Sequence, residues 1–139
     1  MIRKLNNNDF NQIITLLEQL TIVGYVSQQD YNNFINSLNE NNMVYVIEIN
    51  NIIVACGTLL IEPKLIHGCS KVGHIEDIVV DNNYRKQGYG LQIIQHLIKI
   101  AKNNDCYKII LDCDIKVQSF YEKSGFKEKN IQMALYFNE

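Results

Sequence analysis

Arg85-Lys86-Gln87-Gly88-Tyr89-Gly90 lies between an apolar, β-branched run ending at Val80 and a helical stripe made of Ile94, Leu97, Ile98 and Ala101. The order strand, basic glycine loop, helix has a chemical meaning. A helix start carries unpaired N–H donors and a partial positive charge, so it receives anions. Gly88 and Gly90 allow the backbone close to a phosphate, and Arg85 and Lys86 add fixed charge. Taken alone, the hexad is equally a strand-to-helix turn that uses two glycines. A P-loop would need Lys-Ser or Lys-Thr after its last glycine, where Leu91-Gln92 stand, and a dinucleotide fingerprint would need three glycines. Neither pattern is present.

Working outward, Val72 to Val80 forms the strand before the loop, and the helix after it runs from about residue 89 to 103. Upstream, Val44–Ile49 and Ile52–Ile61 flank Asn50-Asn51, the pattern of a tight hairpin. Residues 2–5 read as a first strand. Phe10, Ile13, Ile14, Leu17 and Leu20 mark a first helix, and Ser27 with Asp30 opens a second in capping-box style. Downstream, Tyr107–Leu111 is a short strand, a brief helix holds Phe120 and Tyr121 and ends at Gly125, and Phe126–Phe137 is expected to return as strand. Antiparallel hairpins followed by a late crossover helix predict an α/β fold. Its central sheet is expected to be mixed and mostly antiparallel, with helices on both faces and all 139 residues in one domain.

Composition narrows the function classes. A net charge of −2 argues against a nucleic-acid binder, and no apolar run is long enough to span a membrane. The start, Met1-Ile2-Arg3-Lys4-Leu5-Asn6, has no signal-peptide core, so a cytoplasmic protein is expected. The four cysteines show no CxxC pair, and neither a metal site nor a disulfide framework is expected. Paired asparagines, such as Asn32-Asn33 and Asn50-Asn51, read as turns or helix ends.

Arg-x-x-Gly-x-Gly after a strand resembles the signature of the GNAT superfamily of N-acetyltransferases, and Phe120-Tyr121-Glu122-Lys123-Ser124-Gly125-Phe126 resembles its helix-to-strand segment. Within that superfamily four stretches are similar to the glucosamine 6-phosphate N-acetyltransferases. They are Gly73–Val80, Cys106–Asp114, Lys64-Leu65-Ile66-His67 and Leu20-Thr21-Ile22-Val23-Gly24. The likeness covers nearly the whole chain. It implies acetyl transfer from acetyl-CoA to the 2-amino group of glucosamine 6-phosphate, as a step toward amino-sugar nucleotides. It also implies a homodimer in which C-terminal residues of one subunit stand beside the other's site.

Acetyl transfer needs a neutral amine, a polarised thioester carbonyl, alignment, and an acid for the departing thiolate. By the resemblance, Arg85, Lys86, Gln87, Gly88, Tyr89 and Gly90 hold the pyrophosphate, and the backbone of Ile78, Val79 and Val80 pairs with the pantetheine arm. Tyr121 is the candidate acid, although an aromatic on a helix is more often core. Glu76 is the candidate amine-binding carboxylate, with Asp77 beside it. Neighbours on a strand point to opposite faces, so one of the two is expected to face away as a solvated or paired charge. Asp112 is either a site carboxylate or a helix N-cap, a role open to Asp114 as well. Thr21, Lys64, Leu65, Ile66, His67 and Ile78 complete the sugar-phosphate candidates. Two positions depart from the family pattern: Val117 stands where an Asn contacts the coenzyme, and Tyr136 where an Arg helps hold the phosphate. An acetyltransferase for another small amine or a protein amine, and a non-catalytic acyl-CoA-binding module, are the competing functions.

Overall fold

The computed structural model describes residues 1–138. Five strands lie in sequence order: β1 (Ile2–Lys4), β2 (Asn42–Ile49), β3 (Ile52–Pro63), β4 (Lys71–Val80) and β5 (Cys106–Ile110). The first four pair antiparallel and β5 joins β4 in parallel. The helices are α1 (Phe10–Leu17), α2 (Gln28–Ser37), a single turn α3 (Ile66–Cys69), α4 (Tyr89–Asn103) and α5 (Gln118–Glu122). The mixed sheet with helices on both faces is as the sequence predicts.

Local chemistry explains the main joints. Asn50 (φ 50°) and Asn51 (φ 66°) are both left-handed, the requirement of the tight hairpin turn between β2 and β3. Ser27 accepts from the Asp30 N–H while the Asp30 carboxylate accepts from the Ser27 N–H, a reciprocal cap that fixes the start of α2. Asn6 and Asp9 repeat the device before α1, and the same Asp9 carboxylate takes a two-pronged contact from Arg3 at 2.8 and 2.9 Å. Arg3 Nε also donates to Glu48 at 2.7 Å, so one guanidinium ties β1, the start of α1 and β2 together.

The strand period sorts the core. Met43, Ile47, Leu59 and Ile75 meet Ile93, Ile94, Leu97 and Ala101 of α4. On the opposite face Val44, Val46 and Cys56 meet Ile13, Leu16 and Tyr31 of α1 and α2. Burying these side chains at roughly 25 cal/mol per Å² holds the two helical layers to the sheet.

Three expectations are corrected. Phe126–Phe137 is irregular rather than a strand, and Ile131, Met133, Leu135 and Phe137 are each at least 80% exposed. Their alternation is strand-like, but no described strand pairs with them. Leu20 lies beyond the end of α1 and is exposed. Asn32 and Asn33 sit inside α2 rather than at a turn, where each accepts from a glutamine four residues earlier.

Candidate active site

The site begins with one extra residue in β4. Thr58 pairs with Glu76 and Cys56 with Val79, so Asp77 and Ile78 together oppose Gly57 alone. Asp77 takes φ 52° to fit this β-bulge. Gly57 has no room for a side chain, since a Cβ there would stand 2.5 Å from Ile78 Cδ1 and 3.1 Å from Leu97 Cδ1. The buried Cys56 thiol, pushed up to about 12 by burial first and the charge of Asp77 second, stays protonated and contacts the Asp77 carbonyl oxygen at 3.7 Å. The bulge breaks the strand alternation, so Glu76 and Asp77 are both exposed and both line the same cleft. The expectation of opposite faces fails for that reason.

The second element is a divergence. β4 and β5 pair from Lys71 to His74 and no further. Beyond that point, among the described residues, the β4 backbone has a strand partner only in β3, and its other edge is open. Ile75–Val80 and Leu111–Asp114 both line a cleft of about 1000 Å³. An open edge of N–H and C=O groups accepts an extended ligand as an added strand.

The loop after β4 supplies the third. Arg85 Nε donates to the Val80 carbonyl at 3.0 Å, which fastens the loop to the strand end. Gly88 is left-handed (φ 87°) and is the residue from which α4 starts, so the first N–H groups of α4 open beside it. Gly90 lines the cleft and has a packing role as well. A Cβ there would stand 3.0 Å from Phe120 Cζ, so this glycine makes room for α5. Gly88, by contrast, has nothing within 4 Å of where a Cβ would be.

The fourth is the ionisable set. Burial first, then the charges of Asp112 and Asp77, pushes the Glu76 carboxyl above its ordinary value, with His74 acting the other way. Asp114 caps the turn after β5 by accepting from Lys116 N–H, which leaves Asp112 free of that task. Asp112 instead accepts from Gln132 Nε2 at 2.7 Å. Burial, followed by Cys113 and Asp112, raises the Tyr121 phenol, so it remains a proton donor at neutral pH. Tyr121 packs edge-on against Phe120 and Phe126 at centroid distances of 5.0 and 6.2 Å. Burial and the carboxylates of Asp112, Asp114 and Glu122 raise the Cys113 thiol, the opposite of an activated nucleophile.

The cleft thus gathers Thr21, Glu76, Asp77, Ile78, Val79, Val80, Arg85, Lys86, Gly88, Gly90, Asp112 and Tyr121. Val117, at one of the departures from the family pattern, lines it too. Gln87 is exposed and Tyr89 packs beside Tyr84, so neither side chain lines the cleft. Lys64, Leu65, Ile66 and His67 lie elsewhere, before the far end of β4. There Lys64 pairs with Glu62 at 3.4 Å and His67 stacks on Tyr107 at 4.2 Å. Tyr136 is 68% exposed in the irregular C-terminal segment. Sequence reasoning missed Gln19 and Gln132, whose positions follow from the tertiary fold and carry no local motif, and Lys123, which lies inside the Phe120–Phe126 stretch but was given no role. The lining is acidic where β4 and the segment after β5 contribute, and basic where the glycine loop and Lys123 do. That charge division suits an amine on one side and a pyrophosphate on the other.

Residues 8–126 match the acetyltransferase (GNAT) family. The chain is 40% identical over 140 residues to the glucosamine 6-phosphate N-acetyltransferase of Candida albicans, with 97% of this chain and 94% of that one covered. It is 39% identical over 143 residues to the enzyme of the same name from Arabidopsis thaliana, covering 99% and 96%. The crystal structure of glucosamine-6-phosphate N-acetyltransferase from Arabidopsis thaliana is similar with a TM-score of 0.96 at 38% identity, covering 99% and 98%. From its sequence, its sheet and its cleft, this chain belongs to the acetyltransferase (GNAT) family.

Proposed function

We propose that the protein transfers acetyl from acetyl-CoA to the 2-amino group of D-glucosamine 6-phosphate, by direct attack with both substrates bound. One observation carries the reading. Glu76, Asp112, Tyr121 and the glycine loop meet in a single cleft, in a chain similar along nearly its full length to enzymes named for that reaction.

Acetyl-CoA supplies the thioester. Arg85, Lys86 and the N–H groups around Gly88 receive its pyrophosphate, and the open edge of β4 at Ile78–Val80 receives the extended arm. A free N–H on that edge polarises the carbonyl. Glu76, with its raised carboxyl, holds the amine and takes its proton, while Asp112 adds negative charge that favours the ammonium on binding. Tyr121 gives its proton to the leaving sulfur. A direct route needs no acyl-cysteine, and the unactivated Cys113 agrees with that.

The same reading makes the protein a homodimer. Ile131, Met133, Leu135 and Phe137 form an exposed alternating face with no described strand against it. In a dimer that face is buried, and Lys64, His67 and Tyr136 of one subunit come to the partner's cleft, where the phosphate needs donors. The test is thiol release with a panel of amines, together with sedimentation. Turnover of glucosamine 6-phosphate by a dimer is expected. Turnover of a different amine alone would refute the substrate, and a stable active monomer would refute the assembly.

A further inference from the structure

Gln19 stands two residues past the end of α1, and its side chain reaches across to the turn that follows β4. Its Nε2 donates to Asp81 Oδ2 at 3.1 Å, and its Oε1 accepts from the Asn82 N–H at 2.8 Å. The two partners fix the amide's orientation, because a carboxylate only accepts and a backbone N–H only donates. Asp81 is itself held at two further points. Its N–H donates to the Val54 carbonyl at 2.8 Å, and its other oxygen accepts from the Asn83 N–H at 2.8 Å. This turn delivers Arg85 and the glycine loop. On the other side of the contact, Gln19 is followed by Leu20 and Thr21, and all three line the cleft.

We propose that Gln19 is a positioning residue that registers the acceptor-side segment Gln19–Thr21 against the coenzyme loop through a two-point amide contact with Asp81-Asn82. Only a primary amide of this length satisfies both groups: a hydrocarbon serves neither, and a carboxylate loses the donor and sets two negative charges together. The inference rests on the reading of Arg85–Gly90 as the coenzyme loop. It does not depend on which amine is acetylated.

The experiment compares wild type with Gln19→Leu and Gln19→Glu in the full chain. It uses calorimetric titration with coenzyme A and steady-state kinetics with acetyl-CoA and glucosamine 6-phosphate. Gln19→Leu is expected to weaken coenzyme A by about tenfold, the loss of hydrogen bonding to a charged group. KM for acetyl-CoA should rise in step while kcat at saturation stays within about twofold of wild type, the signature of lost binding rather than lost chemistry. Gln19→Glu should weaken coenzyme A at least as much as Gln19→Leu. A residue that merely supports folding would lower kcat with KM unchanged, and that result overturns the proposal. So does wild-type affinity for coenzyme A in either variant. If coenzyme binding depends on Gln19 while glucosamine 6-phosphate is not turned over, the proposal stands and only the substrate assignment falls.

Discussion

Gly90 and Phe120 are in such close register that a Cβ on the glycine would stand 3.0 Å from the ring's Cζ. The second glycine of the loop is thereby linked to α5, the helix that carries Tyr121. Gly90→Ala is expected to displace Phe120 by a few tenths of an ångström and Tyr121 with it. The effect should appear as a drop in kcat of about tenfold, with coenzyme A affinity nearly kept, since small misplacements of reacting groups are costly. Steady-state kinetics beside calorimetry checks this, and a variant that loses coenzyme A affinity without losing kcat contradicts it.

Gly88 is expected to fail in the opposite way. Its φ of 87° is the left-handed region, where any side chain costs about 1–2 kcal/mol. Gly88→Ala should therefore alter the loop and weaken coenzyme A, with kcat at saturation little changed. Binding measured by calorimetry separates the two glycines.

Tyr121→Phe removes the proton donor while leaving the packing against Phe120 and Phe126. The expected loss is about a hundredfold in kcat, at the lower end of what a positioned acid supplies. Because burial raises the phenol, wild-type activity should hold through neutral pH and decline only above the ordinary tyrosine range. A pH profile of kcat reads both effects.

Glu76 titrates on the acid side. Its carboxyl lies above its ordinary value and acts in its ionised form, so kcat/KM should fall as the pH drops through that raised value. The fall should begin at a higher pH than an unperturbed glutamate, at about 4.3, would give. Glu76→Gln should remove that limb, leaving only the substrate amine's own ionisation, and lower the rate by about a hundredfold. The two profiles recorded side by side decide it.

Asp9 governs stability rather than chemistry. Burial would raise this carboxyl, yet the hydrogen-bonded Arg3 guanidinium brings it below its ordinary value. A depressed carboxyl contributes stability above its unfolded value, about 3.9, and loses it as pH falls toward the folded one. Asp9→Asn should cost about 2 kcal/mol at pH 7 and flatten the acid dependence, as read from urea unfolding at pH 7 and pH 3.

Much of the fold was legible because its signals are local. Asn50-Asn51 as a left-handed pair, Ser27 with Asp30 as a cap, and the 3.6 period of α4 each act within a few residues. The glycine loop, Asp112 and Tyr121 were legible by family likeness, and the structure places them around one cleft. What was hidden depends on separation or on a partner strand. Gln19 and Asp81 are 62 residues apart, and neither carries a motif. Ile131 to Phe137 has the alternation of a strand, but alternation does not supply a strand to pair with. The β4 bulge leaves no compositional mark, because its left-handed residue is an aspartate rather than a glycine.

That bulge gives β4 a phase. Upstream, Gly73 and Ile75 turn toward α4; downstream, Ile78 and Val80 do, so the strand changes parity between them. Such a shift is counted in whole residues and is indifferent to side-chain identity, so substitutions at Asp77 can strain it but not undo it. Deleting Asp77 would undo it at once: the strand would alternate regularly with Ile78 and Val80 still toward α4 and Val79 toward α1, and the distortion that brings two carboxylates to one cleft would close. At this position the length of the chain, more than its chemistry, is under constraint.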